Sequence, residues 1–131
     1  MNFALQRVAH RGGSALAPEN TMAAFRHALT LLVDAIELDV QMSRDGHAIV
    51  FHDETVEALT DGQGNILDLD LASLQALNAA AHFPGGWSQP ERIPTLGEVL
   101  DLARAGGIQV YIEIKPSKRN DIYDRYPGIV E

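Results

Sequence analysis

The chain has 131 residues, 46% hydrophobic and 21% charged, with a net charge of −8, enough for one small domain with a core. The absence of cysteine removes disulfide frameworks, thiolate zinc sites and cysteine nucleophiles together. Lys and Arg are too few for a nucleic-acid-binding face, no apolar run approaches the roughly 20 residues of a membrane span, and with no secretory leader in view a cytoplasmic protein is expected.

Gln6 to His10 reads as a short strand that runs into Gly12-Gly13. Pro18-Glu19-Asn20-Thr21 is a helix start with Asn20 or Thr21 as cap. Met22, Phe25, Ala28, Leu29 and Leu32 follow at helical spacing. Ala35 to Val40 is a second strand; Asp45-Gly46 marks a tight turn, and Ala48 to Phe51 returns as a strand. An irregular insertion occupies about 53–92, with a weak helix near Leu71 to Leu77; long excursions in compact domains are often functional. Thr95 and Glu98 form a capping-box pair before Leu96, Val99, Leu100 and Ala103, and Gly106-Gly107 ends that helix. Gln109 to Ile114 is a further strand, stopped by Pro116, and the polar tail from Ser117 shows no clear element. Strands separated by helices predict βαβ units and a largely parallel sheet, with chemistry at the C-terminal strand ends.

The strand ends carry ionisable residues: His10-Arg11, Glu37 with Asp39, His52-Asp53, and Glu113 with Lys115. A core strand end has no structural need for charge, and burying charge is costly. Side chains alternate along a strand, so Glu37 and Asp39 share a face with Cα atoms about 6.6 Å apart. Glu113 and Lys115 likewise share a face. If both faces point into one mouth, Glu37, Asp39 and Glu113 make an all-oxygen site of the kind that favours Mg²⁺ or Ca²⁺ over zinc. The bland alternative is an exposed polar face on an edge strand. His10 and His52 suit proton transfer near neutral pH, and Arg11 suits bidentate phosphate binding; each residue alone has an ordinary structural reading as well. His27, His47 and His82 fall on a helix, in a hairpin turn and in a loop, and have no assigned role.

Taken together, these residues resemble the glycerophosphodiester phosphodiesterase family from about Val8 to Pro116. The resemblance is carried in order by His10-Arg11-Gly12, Pro18 to Thr21, Glu37 to Val40, Asp45-Gly46 and His52-Asp53. Thr60 to Gly64, Ile93 to Glu98 and Ile112 to Lys115 continue it. It implies a (β/α)8 TIM-barrel type of the PLC-like phosphodiesterase superfamily. It implies one divalent cation, Mg²⁺ or Ca²⁺, held by Glu37, Asp39 and Glu113. His10 and His52 would be the acid/base pair, and Arg11 and Lys115 would neutralise phosphate charge. The substrates implied are small-molecule glycerophosphodiesters of glycerophospholipid metabolism, cleaved to glycerol 3-phosphate and an alcohol.

Two local departures stand out. Leu32 occupies a helix-end position where the family usually has Gly, and Ala58-Leu59 replace a common Arg-Thr pair. The largest departure is length, because a complete barrel takes about 250 residues. Residues 1–131 therefore read as a partial domain, the N-terminal part of the barrel only. Such a half-barrel exposes sheet edges, which self-association or the missing C-terminal half of the barrel would cover. The alternatives are a truncated, catalytically incomplete fragment, or a related phospholipase-type phosphodiesterase on the same barrel.

Overall fold

The computed structural model describes residues 4–119 and 122–124. Its centre is the strand β2, Ala35–Met42, flanked in the chain by β1 (Val8–Ala9) with helix α1 (Met22–Thr30), and by the returning strand β3 (Ala48–Val50). Helix α2 (Leu71–Gln75) lies in the excursion, and α3 (Leu96–Gly106) leads into β4 (Gln109–Ile114). β1 pairs parallel with the start of β2, through Val8↔Ala35 and Ala9↔Ile36. β4 pairs parallel with β2 from Ala35↔Gln109 to Val40↔Ile114. β3 pairs antiparallel with the far end of β2, from Val40↔Val50 to Met42↔Ala48. β1 and β3 thus share one edge of β2, and β4 takes the other.

The period-2 pattern of β2 divides the molecule. Ile36, Leu38 and Val40 point to the helix side, where they bury against Phe25 and Ala28 of α1 and Val99 and Ala103 of α3. Glu37, Asp39 and Gln41 lie on the other face. Helix α1 begins at Thr21, whose Oγ1 accepts the Ala24 N–H at 3.2 Å. Helix α3 carries the expected capping box between Thr95 and Glu98 and ends on Gly107 in the left-handed region, φ 63°. The excursion is less irregular than its composition suggests. Val56, Ile66, Leu74 and Ala79 form a second apolar cluster with Ile49, Phe51 and Ile93, so the segment packs against β3 and its extension.

Two expectations need correction. The first strand is only Val8–Ala9, because His10–Gly12 coil into a single 3₁₀ turn. The tail is not featureless: Ser117–Arg119 (β5) and Ile122–Asp124 (β6) pair antiparallel; the remainder of that tail lies outside the described residues. Among the described residues β4 pairs with β2 alone, and Tyr111 and Ile112 are 45% and 43% exposed. No helix among the described residues is long and apolar enough to cross a membrane.

Leu32 shows why glycine is usual where α1 ends. It sits in the left-handed region at φ 53°, a conformation in which a side chain crowds the backbone, and it is 76% exposed, so little packing offsets that strain. Leu32→Gly is expected to stabilise the fold by about 0.5–1 kcal/mol, read as a higher urea midpoint at unchanged m-value. A lower midpoint would mean that the leucine contributes more packing than strain.

Candidate active site

The polar face of β2 and the matching face of β4 build the site. Asp39 stands opposite Glu113 in the parallel register, one pair beyond Leu38↔Ile112 and two beyond Glu37↔Tyr111. Glu37, Asp39 and Glu113 each offer a carboxylate oxygen, all within 4.8 Å of one another. The three grade from fully buried Asp39 through part-buried Glu37 to exposed Glu113. The bland reading of an exposed edge-strand face does not describe Asp39, at 0% exposure on a strand paired along both edges.

The first turn after β1 supplies positive charge and donors. The Arg11 N–H donates to Glu37 Oε2 at 3.0 Å. The Arg11 guanidinium places Nη1 at 2.8 Å from Glu19 Oε2 and Nε at 3.4 Å from Asp39 Oδ2. This needs a sharply folded backbone: Arg11 itself has φ 52°, and Gly12 follows at φ 81°. A Cβ at Gly12 would stand 2.8 Å from the Ala24 Cβ, so only glycine lets this turn lie against α1. His10 Nε2 is 3.7 Å from Glu37 Oε2. On the other side Lys115 Nζ donates to Glu113 Oε1 at 2.9 Å and lies 3.7 Å from Asp39 Oδ1. That hydrogen bond, with the lysine's charge, holds the Glu113 carboxyl below the usual glutamate range.

His52 follows β3, where its Nδ1 lies 2.7 Å from Asp53 Oδ1. An ionised carboxylate only accepts, so Nδ1 carries the proton and Nε2 is left for proton exchange with a ligand. His52, Asp53 and Lys115 line a cleft of about 490 Å³ together with Gln41, Glu54 and Thr55. The structure therefore joins the first turn, β2, β4 and the end of β3 in one neighbourhood. His27 stays on α1, His47 stays beside the Asp45 turn, and His82 lines a separate cavity with Phe83 and Leu59.

Three residues belong to this neighbourhood that the sequence reading gave no such role. Glu19 holds Arg11. Asn20, expected as an alternative helix cap, does not cap; Thr21 does. Asn20 instead donates Nδ2 to Asp39 Oδ2 at 3.0 Å and accepts the Asp39 N–H at 3.4 Å. It does so from a left-handed backbone, φ 55°, a conformation asparagine tolerates better than most residues. Gln41 donates Nε2 to the carbonyls of Phe51 and Asp53. The signal for Gln41 was its place two residues past Asp39 on the same face. Glu19 and Asn20 were marked only as part of the Pro18 to Thr21 helix start, since the Asn20–Asp39 contact joins segments 19 residues apart.

The donor set fits a hard divalent cation. Three carboxylates in such close approach repel, and two side-chain cations near them leave charge to be balanced. Buried Asp39 Oδ1 has no hydrogen-bond partner, and a buried polar atom without one is costly unless something else engages it. A cation among oxygen donors is such a partner.

Comparisons with known proteins give the family. The profile of the glycerophosphoryl diester phosphodiesterase family matches residues 10–127, and the chain belongs to that family. A glycerophosphodiester phosphodiesterase of Caldanaerobacter subterraneus is 47% identical over 124 residues, which are 95% of this chain and 49% of the relative. The mouse protein glycerophosphodiester phosphodiesterase 1 is 36% identical, over 93% of this chain and 39% of its own length. A solved phosphodiesterase of Oleispira antarctica, in complex with the product sn-glycerol-3-phosphate, superposes with a TM-score of 0.81 at 39% identity. The match covers 86% of this chain and 45% of that one. The chain thus spans about half the length of the curated relatives it matches or less, and its fold is the N-terminal part of their (β/α)8 barrel type.

Asn20→Ala leaves Asp39 without its amide clamp. It is expected to lower stability by about 1–3 kcal/mol and to weaken dication binding, measured by chemical denaturation and by calorimetric titration with Mg²⁺ and Ca²⁺. Unchanged affinity in the folded variant would show that Asp39 is held without Asn20.

Proposed function

We propose that this chain provides the metal-binding and acid/base half of a phosphoric diester hydrolase. It would act on small glycerophosphodiesters, yielding glycerol 3-phosphate and an alcohol as part of glycerophospholipid breakdown. The observation that carries this reading is the convergence of Glu37, Asp39 and Glu113 within 4.8 Å. The family match and the neighbour solved with sn-glycerol-3-phosphate support the substrate class.

A phosphodiester resists attack because its anionic oxygens repel nucleophiles, and attack concentrates further charge on them. A divalent cation, Mg²⁺ or Ca²⁺, held by Glu37, Asp39 and Glu113 would supply Lewis-acid stabilisation of that charge. Lys115, which enters the cleft between Glu113 and Asp39, would add a point charge on the phosphate. Arg11 would contribute from the opposite side. Its contacts with Glu19 and Asp39 engage two of its nitrogens, and a guanidinium has five donors in a fixed fork.

His10 and His52 would share the proton transfers, one imidazole accepting the proton of the attacking hydroxyl and the other donating to the departing alkoxide. The Asp53 contact holds His52 with Nε2 outward. His10 is more exposed, with Nε2 3.7 Å from Glu37 Oε2. Proton transfer by a positioned side chain is typically worth about 10²- to 10⁴-fold, or roughly 3–5 kcal/mol.

A second reading follows from the share of the relatives that the chain spans: residues 1–131 hold the dication, and efficient turnover needs further βα units. Assaying the 131-residue chain beside one extended to a full barrel separates the two.

In the active form, His10→Ala and His52→Ala should each lower kcat by about 10²- to 10⁴-fold with dication affinity retained. Wild-type-like turnover in either would remove that residue from the chemistry. Chelation should abolish hydrolysis of glycerophosphodiesters, and Mg²⁺ or Ca²⁺ should restore it. Full activity in excess chelator would take the cation out of the mechanism.

A further inference from the structure

The sequence of β2 places three polar residues at period 2, Glu37, Asp39 and Gln41, on the face opposite the core. The first two are carboxylates of the acidic cluster. Gln41 is 1% exposed, an unusual place for an amide unless its hydrogen bonds are supplied. Its Nε2 donates to the Phe51 carbonyl at 2.9 Å and to the Asp53 carbonyl at 2.7 Å. These two carbonyls bracket His52.

The reason lies in how the strands end. The β2–β3 ladder covers only Val40↔Val50 to Met42↔Ala48. The edge of β2 that β3 would need to continue along is occupied by β1 at Ala35 and Ile36. The chain therefore leaves the sheet after Val50, making one more main-chain bond to β2, from the Phe51 N–H to the Asp39 carbonyl at 3.0 Å. Beyond that point the carbonyls of residues 51 and 53 have no strand to pair with. The Gln41 side chain takes the part of a strand amide and donates to both.

We propose that Gln41 is a positioning residue for His52. It ties the segment carrying the imidazole to the same strand that carries Glu37 and Asp39, and so fixes the proton-transfer group relative to the acidic cluster. Gln41 acts through the backbone, since its donors meet carbonyls and not the ring. With the Phe51–Asp53 backbone fixed, the Asp53 carboxylate stays at 2.7 Å from His52 Nδ1 and keeps the proton on that nitrogen. With the backbone released, the contact is lost for part of the time and the ring samples both tautomers. This rests on the reading of His52 as an acid/base group, but the tautomer can be measured whether or not that reading holds.

The test is the ¹⁵N NMR spectrum of the His52 ring in the 131-residue chain at a pH where the imidazole is neutral. The wild type is expected to show one form, protonated at Nδ1. Gln41→Leu removes both donors, and the two ring nitrogens should shift toward the averaged values of a tautomer mixture, while calorimetric affinity for Mg²⁺ or Ca²⁺ stays within about twofold because Glu37, Asp39 and Glu113 are retained. A single Nδ1–H form in folded Gln41→Leu would overturn the proposal. So would a loss of dication affinity together with an unchanged ring, which would place Gln41 in the acidic cluster instead. Should Gln41→Leu fail to fold, Gln41→Met, close to glutamine in length and volume, carries the same test. Its thioether has no N–H or O–H for either carbonyl, so a mixture supports the role and an unchanged ring refutes it. Failure of the acid/base reading would show separately, as unimpaired turnover in His52→Ala.

Discussion

Three carboxylates held within 4.8 Å of one another are an electrostatic cost that the rest of the structure is arranged to carry. In a solvated site the repulsion is screened; at Asp39, which is fully buried, it is not. The fold answers with a hydrogen-bonding partner for one oxygen of each acid. A backbone N–H meets Glu37, a guanidinium and an amide meet one oxygen of Asp39, and an ammonium meets Glu113. Buried Asp39 Oδ1 has no hydrogen bond, and Lys115 Nζ stands 3.7 Å from it. The cost is thus concentrated at the point where a dication would relieve it.

That arrangement explains the strained backbone at the start of the chain. Arg11 and Asn20 both lie in the left-handed region, and Gly12 and Gly13 follow Arg11 with positive φ. The turn folds tightly enough for one residue to contribute its amide to Glu37 and its side chain to Asp39. The Asn20 N–H closes the loop by donating to the Arg11 carbonyl at 2.9 Å. The segment from His10 to Thr21 is therefore one device, with its two ends bonded together and Arg11 and Asn20 directed at β2. Leu32 is a different case. It has the same backbone strain at an exposed helix end, without any contact with the site.

Much of the fold was legible locally. The span of β4 was read in full, the α3 capping box was read from Thr95 and Glu98, and the position of Leu32 was marked by the missing glycine. The first strand was overextended because the pattern of Gln6 to His10 does not reveal that His10 turns away into a 3₁₀ coil. The tail was read as featureless because β5 and β6 are three residues each and carry no apolar alternation to detect.

The sequence by itself determined which residues could share a face, because alternation along a strand is a local property. Glu37 and Asp39 were bound to project together once Ala35 to Val40 was a strand, and the ordered motifs were enough to indicate the family; Gln41 joins them because β2 runs on to Met42. Only the tertiary structure decided that the register of β4 sets Glu113 directly across from Asp39, that Asn20 clamps Asp39 and leaves the helix cap to Thr21, and that Gln41 completes a ladder β3 cannot. Each of those depends on the meeting of segments far apart in the chain, and the parallel pairing of β2 with β1 on one edge and β4 on the other fixes where they meet.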